Sequence, residues 1–134
     1  MRRLLLIACV LLLAGCGGSG ASRTGRTVTF STAGAFPTLT IVGKYSPSGC
    51  ARDSNVIVQN ARFFYEHSTT EPGPADLYYY DMREGYAHFQ ADECPSKQLG
   101  DAMTRGLTAR QRRWLLGNLP STFEQIFRTA EAAA

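Results

Sequence analysis

Two patterns of apolar positions divide the chain into halves of different character. Between residues 27 and 91, apolar residues mostly alternate with polar ones, as Val28 and Phe30 do among threonines. A period of two is typical of strands that bury one face. From Pro95 onward, apolar residues recur every three or four positions, which is typical of amphipathic helices.

Turn residues in the first half predict where its strands end. Leu39 and Ile41 form a second alternating run, which we expect to end at the turn Ser46–Gly49. Further along, Leu77–Met82 and Tyr86–Ala91 predict a hairpin. Its turn would use a glycine, which adopts positive φ at no steric cost.

The segment between these runs, residues 55–67, is open to two interpretations. Its β-branched and aromatic residues favour a strand. Ile57 and Phe64 nevertheless stand at helical spacing, and Asp53 or Ser54 could cap a helix. We predict one strand here, or two strands separated by a bulge.

Helix signals mark the second half of the chain. A short helix after Pro95 is predicted to end at Gly106, and a second helix at Gly117. The capping-box pattern, a serine or threonine followed three residues later by glutamate or glutamine, occurs at Thr108–Gln111 and at Ser121–Glu124. The last helix carries a stripe at i, i+3, i+4 and i+7 that should face the core: Phe123, Ile126, Phe127 and Ala130.

Together these patterns predict a single domain of the α+β class. We expect an antiparallel sheet of four to six strands, followed by two or three C-terminal helices that pack on one of its faces.

The N-terminus resembles the signal peptide and lipobox of a bacterial lipoprotein. A basic start is followed by the apolar run Leu4–Leu13, and then by Ala14, Gly15 and Cys16. The apolar run is too short to span a bilayer, which needs about 20 residues. The resemblance implies that Cys16 receives lipid and becomes the new N-terminus, with stable anchoring if it carries two or more acyl chains. Gly17, where an aspartate would favour retention in the inner membrane, points toward the outer membrane facing the periplasm.

Cleavage at this point would set the organisation and charge of the mature protein. Residues 1–15 would be the signal peptide, residues 16–25 a Gly- and Ser-rich flexible tether, and residues 26–134 the globular domain. Loss of Arg2 and Arg3 would leave 12 basic against 11 acidic residues. A nearly neutral domain of this kind gives no electrostatic reason to expect nucleic acid as a partner.

The cysteines predict a disulfide. Of the four, Cys9 leaves with the signal peptide and Cys16 is lipidated. Cys50 and Cys94 remain, and two cysteines in an oxidising compartment most often form a disulfide. A metal or redox pair is the alternative, but the chain has no CxxC spacing and Cys50 has no histidine nearby.

The polar residues form no catalytic or metal-binding motif. Ser54, His88 and Asp81 could be assembled into a hydrolase triad, but no nucleophile-elbow glycine pattern supports it. The two histidines, His67 and His88, do not stand at ligand spacing with Glu66 or Asp81 on one element. We therefore expect no catalytic residues, no metal and no cofactor.

Two groups of charged residues have simple structural interpretations. Asp92 and Glu93 are neighbours, which on a strand would point to opposite faces. Arg110, Arg112 and Arg113 would lie on a solvated helix face. The functional alternative for the arginines is contact with anionic lipid, a glycan or an acidic partner.

Aromatic residues are concentrated between residues 63 and 89. If helices cover one face of the sheet, the other face would expose tyrosines, which are favoured at protein interfaces. We name Tyr78, Tyr80, Arg110 and Arg113 as candidate partner-binding residues. The alternative is that the tyrosines complete a core, with their hydroxyls at its rim.

These observations predict a lipid-anchored, non-enzymatic envelope protein that binds another envelope protein as an accessory or assembly factor. It would contact the membrane through the lipid on Cys16. A second hypothesis is an inhibitor or immunity protein that blocks a hydrolase such as a lysozyme, with residues 46–54 or 69–75 as rigid inserting loops. The third is an enzyme that acts on peptidoglycan or lipid.

Overall fold

The computed structural model describes residues 23–30, 38–71 and 73–134. The predicted signal peptide and the lipidation site Cys16 lie outside these ranges. In chain order the elements are β1 (Arg23–Phe30), β2 (Leu39–Tyr45), α1 (Pro47–Thr69), α2 (Ala75–Ala91), α3 (Ser96–Gly106), α4 (Ala109–Asn118) and α5 (Ser121–Ala133).

The prediction of a sheet with four to six strands is wrong. The described part of the chain contains five helices and one two-stranded antiparallel sheet, formed by β1 and β2. The strands predicted within residues 55–67 belong to α1, and the predicted hairpin of residues 77–91 is the helix α2. The broad α+β class still fits, but helices dominate.

α1 begins earlier than predicted: its N-cap is Ser46, seven or eight residues before the predicted caps Asp53 and Ser54. The Ser46 hydroxyl accepts a hydrogen bond from the Gly49 amide at 3.0 Å, and Pro47 occupies the first turn. Proline is favoured there because its missing N–H has no partner to lose. The serine and proline that predicted a turn therefore begin a helix. Its buried residues recur at helical spacing: Cys50, Asp53, Ser54, Ile57, Val58 and Ala61.

The sequence of α2 resembles that of a hairpin because this helix buries two faces. Met82 and Phe89 contribute to the main core, whereas Ala87 and Ala91 pack against the sheet. A helix buried on two sides has no single apolar stripe, so its sequence resembles alternation. Gly85 lies inside the helix, where an added Cβ would come within 3.1 Å of Val56 Cγ1. This glycine therefore serves close packing of α2 against α1 and not a turn.

The hairpin of β1 and β2 lies against the C-terminal end of α2. Val28 pairs with Ile41 and Phe30 with Leu39, and the register shifts between Thr24 and Thr27. β1 begins at Arg23, so the last three residues of the predicted tether belong to this strand.

Two glycines let the backbone of the hairpin approach α2 closely. A Cβ at Gly43 would lie 1.8 Å from the Ala91 carbonyl oxygen, and one at Gly25 would lie 2.2 Å from the same atom. Any other residue at either position would push the hairpin away from the helix.

The C-terminal helices match their sequence-based predictions more closely than α1 and α2 do. α3 ends at Gly106 as predicted, and the capping box of Thr108–Gln111 is present, with both hydrogen bonds formed. The second predicted capping box is absent, because α5 begins after Pro120 and Ser121 makes no cap hydrogen bond. α4 continues past Gly117 to Asn118. Three of the four predicted stripe residues of α5 are buried: Phe123, Phe127 and Ala130.

Two apolar cores follow from this arrangement. The larger joins α1 and α2 to the C-terminal helices around fully buried side chains such as Ile57, Met82 and Phe127. The smaller lies between the hairpin and α2 and consists of Phe30, Ile41, Ala87 and Ala91. α2 is thus the element that both cores share.

Candidate functional site

The two candidate tyrosines lie on a helix and not on an exposed sheet face. Tyr78 stacks on His67 with ring centroids 4.8 Å apart, and it also contacts Phe63 at 5.1 Å. Tyr80 lies beside Tyr79 at 6.2 Å. Both candidates are half-buried. Two positions apart on a helix, they point in different directions and form no common surface.

The candidate arginines are solvent-exposed on α4. Arg110 and Arg113 make no ion pair within the described part of the chain, whereas Arg112 pairs with Glu131 at 3.3 Å and donates to the Leu107 carbonyl at 2.8 Å. The predicted solvated face is therefore present for Arg110 and Arg113. Arg112 instead connects α4 to α5.

The cysteine prediction is confirmed. Cys50 and Cys94 form a disulfide with their Cα atoms 5.4 Å apart. Cys50 lies in the first turn of α1, and Cys94 follows the end of α2. The disulfide therefore ties the beginning of one helix to the end of the helix that runs back along it.

The end of α2 is a Schellman turn. The amide of Cys94 donates to the Phe89 carbonyl, and the amide of Glu93 donates to the Gln90 carbonyl. Glu93 has a φ of 54°, in the left-handed region that this motif requires and that glycine usually occupies. Asp92 and Glu93 are therefore on a helix-ending turn, where Asp92 is buried and Glu93 exposed.

This turn brings Asp92 beside Asp53 of α1. The two side chains are 9% and 5% exposed, and their carboxylate oxygens lie within 4.8 Å of each other and of the Cys94 sulfur. Asp92 Oδ1 accepts a hydrogen bond from the Lys44 amide of β2 at 2.8 Å. Three elements thus meet at a buried carboxyl pair.

The pair is electrostatically unusual. The pKa of Asp53 is raised from its usual 3.8 to about 6. Burial is the largest cause, followed by the hydrogen bond that protonated Asp53 donates to Asp92 and then by the negative charge of Asp92. Arg52, whose Nε lies 3.5 Å from Asp53 Oδ1, and His88 both oppose this shift. The Arg52 side chain is 72% exposed, so solvent screens much of its charge.

The carboxyl pair does not fit a metal site. The third potential ligand in its cluster is Cys94, whose sulfur is bound in the disulfide and cannot act as a thiolate. Two carboxylates alone provide far fewer ligands than the six to eight oxygens of a calcium site. The donor set of the described residues therefore speaks against a metal here.

A polar groove between α1 and α2 lies over Asp53. It has a volume of about 400 Å³. His88 and Asp81, two members of the triad considered from the sequence, both line it, one helical repeat of seven residues apart. Ser54 does not line the groove: it is buried in α1, and its hydroxyl has no hydrogen-bond partner among the described residues. The triad considered from the sequence is therefore not assembled.

A second groove, with a volume of about 520 Å³, lies between β1, α2 and α5. We call it the β1 groove. Its lining combines apolar side chains with uncharged amides and hydroxyls, and Arg83 is its one cationic residue. The lining residues are Val28, Thr29, Phe30, Arg83, Tyr86, Ala87, Gln90, Thr122, Phe123, Gln125 and Ile126.

Comparison with known proteins gives no relative: no family model, no curated protein and no solved structure matches the chain. Along the described ranges, no helix has the length and apolarity needed to cross a bilayer.

Sequence reasoning missed both the carboxyl pair and the β1 groove. The sequence suggests Asp53 only as a possible helix cap, and Asp92 only as one of two strand neighbours that would point to opposite faces. One signal was available for the pair, since each aspartate lies within three residues of a disulfide cysteine. No comparable signal existed for the groove, because its walls come from elements nearly 100 residues apart.

Proposed function

We propose that this protein is a lipid-anchored, non-enzymatic accessory protein of the bacterial envelope that binds an extended segment of a partner protein in the β1 groove. The anchor rests on the lipoprotein-like sequence of residues 1–16. The binding mode rests on one observation, the way β1 lines the groove.

Three consecutive residues of β1, Val28, Thr29 and Phe30, line this groove. Consecutive side chains of a strand point to opposite faces. A groove that touches all three therefore runs along the edge of the strand. The other edge of β1 pairs with β2, and the described residues provide no further strand.

An open strand edge beside a groove is suited to β-augmentation. In this mode a partner segment adds to the sheet through main-chain hydrogen bonds, and its alternate side chains enter pockets that confer specificity. Phe123 and Ile126 of α5 offer apolar contact below the edge, while Gln90 and Gln125 offer hydrogen bonds at its rim. We expect an extended, mainly apolar and uncharged segment as ligand.

Site-specific photo-crosslinking in intact cells tests the proposal directly. A photoreactive amino acid would replace Gln125, which lines the groove, or Val42, which is 75% exposed and does not line it. We expect one dominant envelope protein to cross-link at position 125 and not at position 42. Equal capture at both positions would contradict binding in the groove.

A matched pair of substitutions separates the groove from the rest of the surface. Ile126→Arg places a charge in the groove, and Val42→Arg places the same charge on the outer face of the hairpin. We expect loss of the cross-linked partner with Ile126→Arg alone. A Cys16→Ala variant tests whether anchoring is needed for the encounter.

The identity of the partner also tests the inhibitor hypothesis. One of its proposed loops, residues 46–54, is the beginning of α1 and cannot act as an inserting loop. Capture of a lysozyme-like hydrolase at position 125 would favour inhibition through the β1 groove over an accessory role. Capture of a structural envelope protein would favour the accessory role.

A further inference from the structure

The Asp53–Asp92 pair presents a hydrogen-bonding problem. Asp53 Oδ2 is buried and accepts no hydrogen bond from any described group. An ionised carboxylate offers only acceptors. A buried acceptor without a donor is costly, and more so when it carries charge.

A proton between the two carboxyls solves this problem. If one carboxyl is protonated, its O–H donates to the other, and the pair carries one negative charge instead of two. Like charges held this close cannot both ionise at low cost, as in other paired carboxylates.

We infer that Asp53 and Asp92 form a proton-binding site that fastens the hairpin to the helices, so that docking of the hairpin responds to pH. This inference does not depend on the proposed partner or on the lipid anchor.

The connection to the hairpin is made by Asp92 alone. Its Oδ1 accepts from the Lys44 amide of β2, so its remaining oxygen is the one available to Asp53. The disulfide Cys50–Cys94 holds the two acidic residues near each other, because each lies within three residues of one of its cysteines. When the proton leaves, the disulfide prevents the two helix ends from separating. We therefore expect the strain to fall on the hydrogen bond to Lys44.

Every element at this junction contributes to the electrostatics of the pair. Arg52 of α1 and His88 of α2 favour ionised Asp53, while the acidic residues Asp81 and Glu84 of α2 line the same groove as Asp53. β2 contributes the Lys44 amide, and the charged side chain of Lys44 is exposed. Glu93, next to Asp92, is also exposed. The cations are therefore too solvated to replace the shared proton.

The sign of the pH dependence follows from the raised pKa of Asp53. A carboxyl whose pKa rises from 3.8 to about 6 on folding stabilises the folded state fully below pH 3.8. That contribution is lost as the pH rises through about 6. Ordinary salt-bridged carboxylates give the opposite trend, since their stabilisation is lost in acid.

Carboxyl-resolved NMR titration of the folded protein is the first test. We expect the Asp53 carboxyl to titrate near pH 6. Protection of the Lys44 amide against hydrogen exchange, corrected for intrinsic rate, should fall by about tenfold per pH unit between about pH 4 and pH 6 and level off above pH 6. Two separate titrations near pH 4, with constant protection of Lys44, would overturn the inference.

Asp53→Asn is the matching variant, since its amide donates to Asp92 at any pH and mimics the protonated state. Its melting temperature should lack the decline that we expect for the wild type between about pH 4 and pH 6. Asp76→Asn, which changes an exposed acid at the beginning of α2 that does not line the groove over Asp53, should keep that decline. Identical pH profiles for wild type and Asp53→Asn would also contradict the proposal; if this variant does not fold, the wild-type titration decides alone.

Discussion

The helical body and the hairpin are both attached to α2, but by different physical means. The helical body, formed by α1, α3, α4 and α5, packs through large side chains such as Phe127 and Leu99. The hairpin contributes only Phe30 and Ile41 to its small core. It is held instead by backbone contact at two glycines and by two hydrogen bonds, from the Lys44 amide to Asp92 and from Arg26 Nε to the Gln90 carbonyl.

This difference predicts different responses to substitution. Side-chain burial over a large core is cooperative, because losing one contact weakens many neighbours. Attachment through backbone contact and two hydrogen bonds can fail locally, while the larger core stays intact. The comparison thus separates global stability from local docking of the hairpin.

The largest effect should come from the main core. Phe127 is 1% exposed, so Phe127→Ala should lower the free energy of unfolding by about 3–5 kcal/mol through lost burial and a cavity. Urea denaturation followed by circular dichroism measures this. Ile126→Ala, at a half-buried neighbour, should cost clearly less. Equal costs would mean that α5 does not pack as described.

The disulfide should rank next. It closes a loop between residues 44 positions apart, for which the chain-entropy estimate is about 4 kcal/mol. We expect a Cys50→Ser, Cys94→Ser double variant to lose stability of that order, measured against the oxidised wild type. It should also weaken the hairpin, because the carboxyl pair would no longer be held together. Unchanged protection of the Lys44 amide would argue against that link.

Gly43→Ala tests the hairpin alone. The new Cβ would clash with the Ala91 carbonyl, which belongs to helix backbone and cannot rotate away. Overpacking of this kind costs about 1–3 kcal/mol, and we expect faster hydrogen exchange in β1 and β2 with little change in helix content.

Gly117→Ala is the control for that substitution. It adds the same methyl group inside α4, where no atom lies within 4 Å. It should stabilise the protein by about 0.5–1 kcal/mol through helix propensity. If Gly43→Ala unfolded the helical body as well, the two regions would form one cooperative unit and the comparison would fail.

The smallest expected effect is a gain in stability. Glu93 adopts positive φ at the end of α2, so Glu93→Gly should raise the free energy of unfolding by about 0.5–1 kcal/mol by relieving that strain. Thermal melts measure it. Loss of stability instead would show that the exposed Glu93 side chain contributes a favourable interaction.

Sequence interpretation was accurate for helices that bury one side and wrong for α2, which buries two sides. α3, α4 and α5 each bury one side, so the spacing of their apolar residues and the cap at Thr108 predicted them. α2 buries two sides, and its tyrosines have strand propensity, so local signals pointed to the wrong structure. Packing against α1 on one side and the hairpin on the other overrode that propensity.

For the candidate site residues too, the sequence predicted some features correctly and others wrongly. The disulfide followed from compartment and cysteine number, without any geometry. Tyr78 and Tyr80 were predicted to lie on an exposed sheet face, but both lie on the helix α2. Arg110 and Arg113 are exposed, as predicted. Whether any of these four residues binds a partner stays a prediction.

By itself, the sequence determined the strands around Val28 and Ile41 and the C-terminal helices, which depend on neighbouring residues, and the pairing of Cys50 with Cys94, which depends on cysteine number. The lipoprotein-like start stays a prediction. Only the tertiary structure decided that residues 55–69 and 75–91 are helical, that Asp53 and Asp92 share a buried site, and that β1 borders a groove. Local propensities differ by about 1 kcal/mol or less per residue, whereas burial of one large side chain contributes about 1.5–3 kcal/mol. Contacts between distant segments therefore outweigh local preference wherever a segment is buried on more than one side.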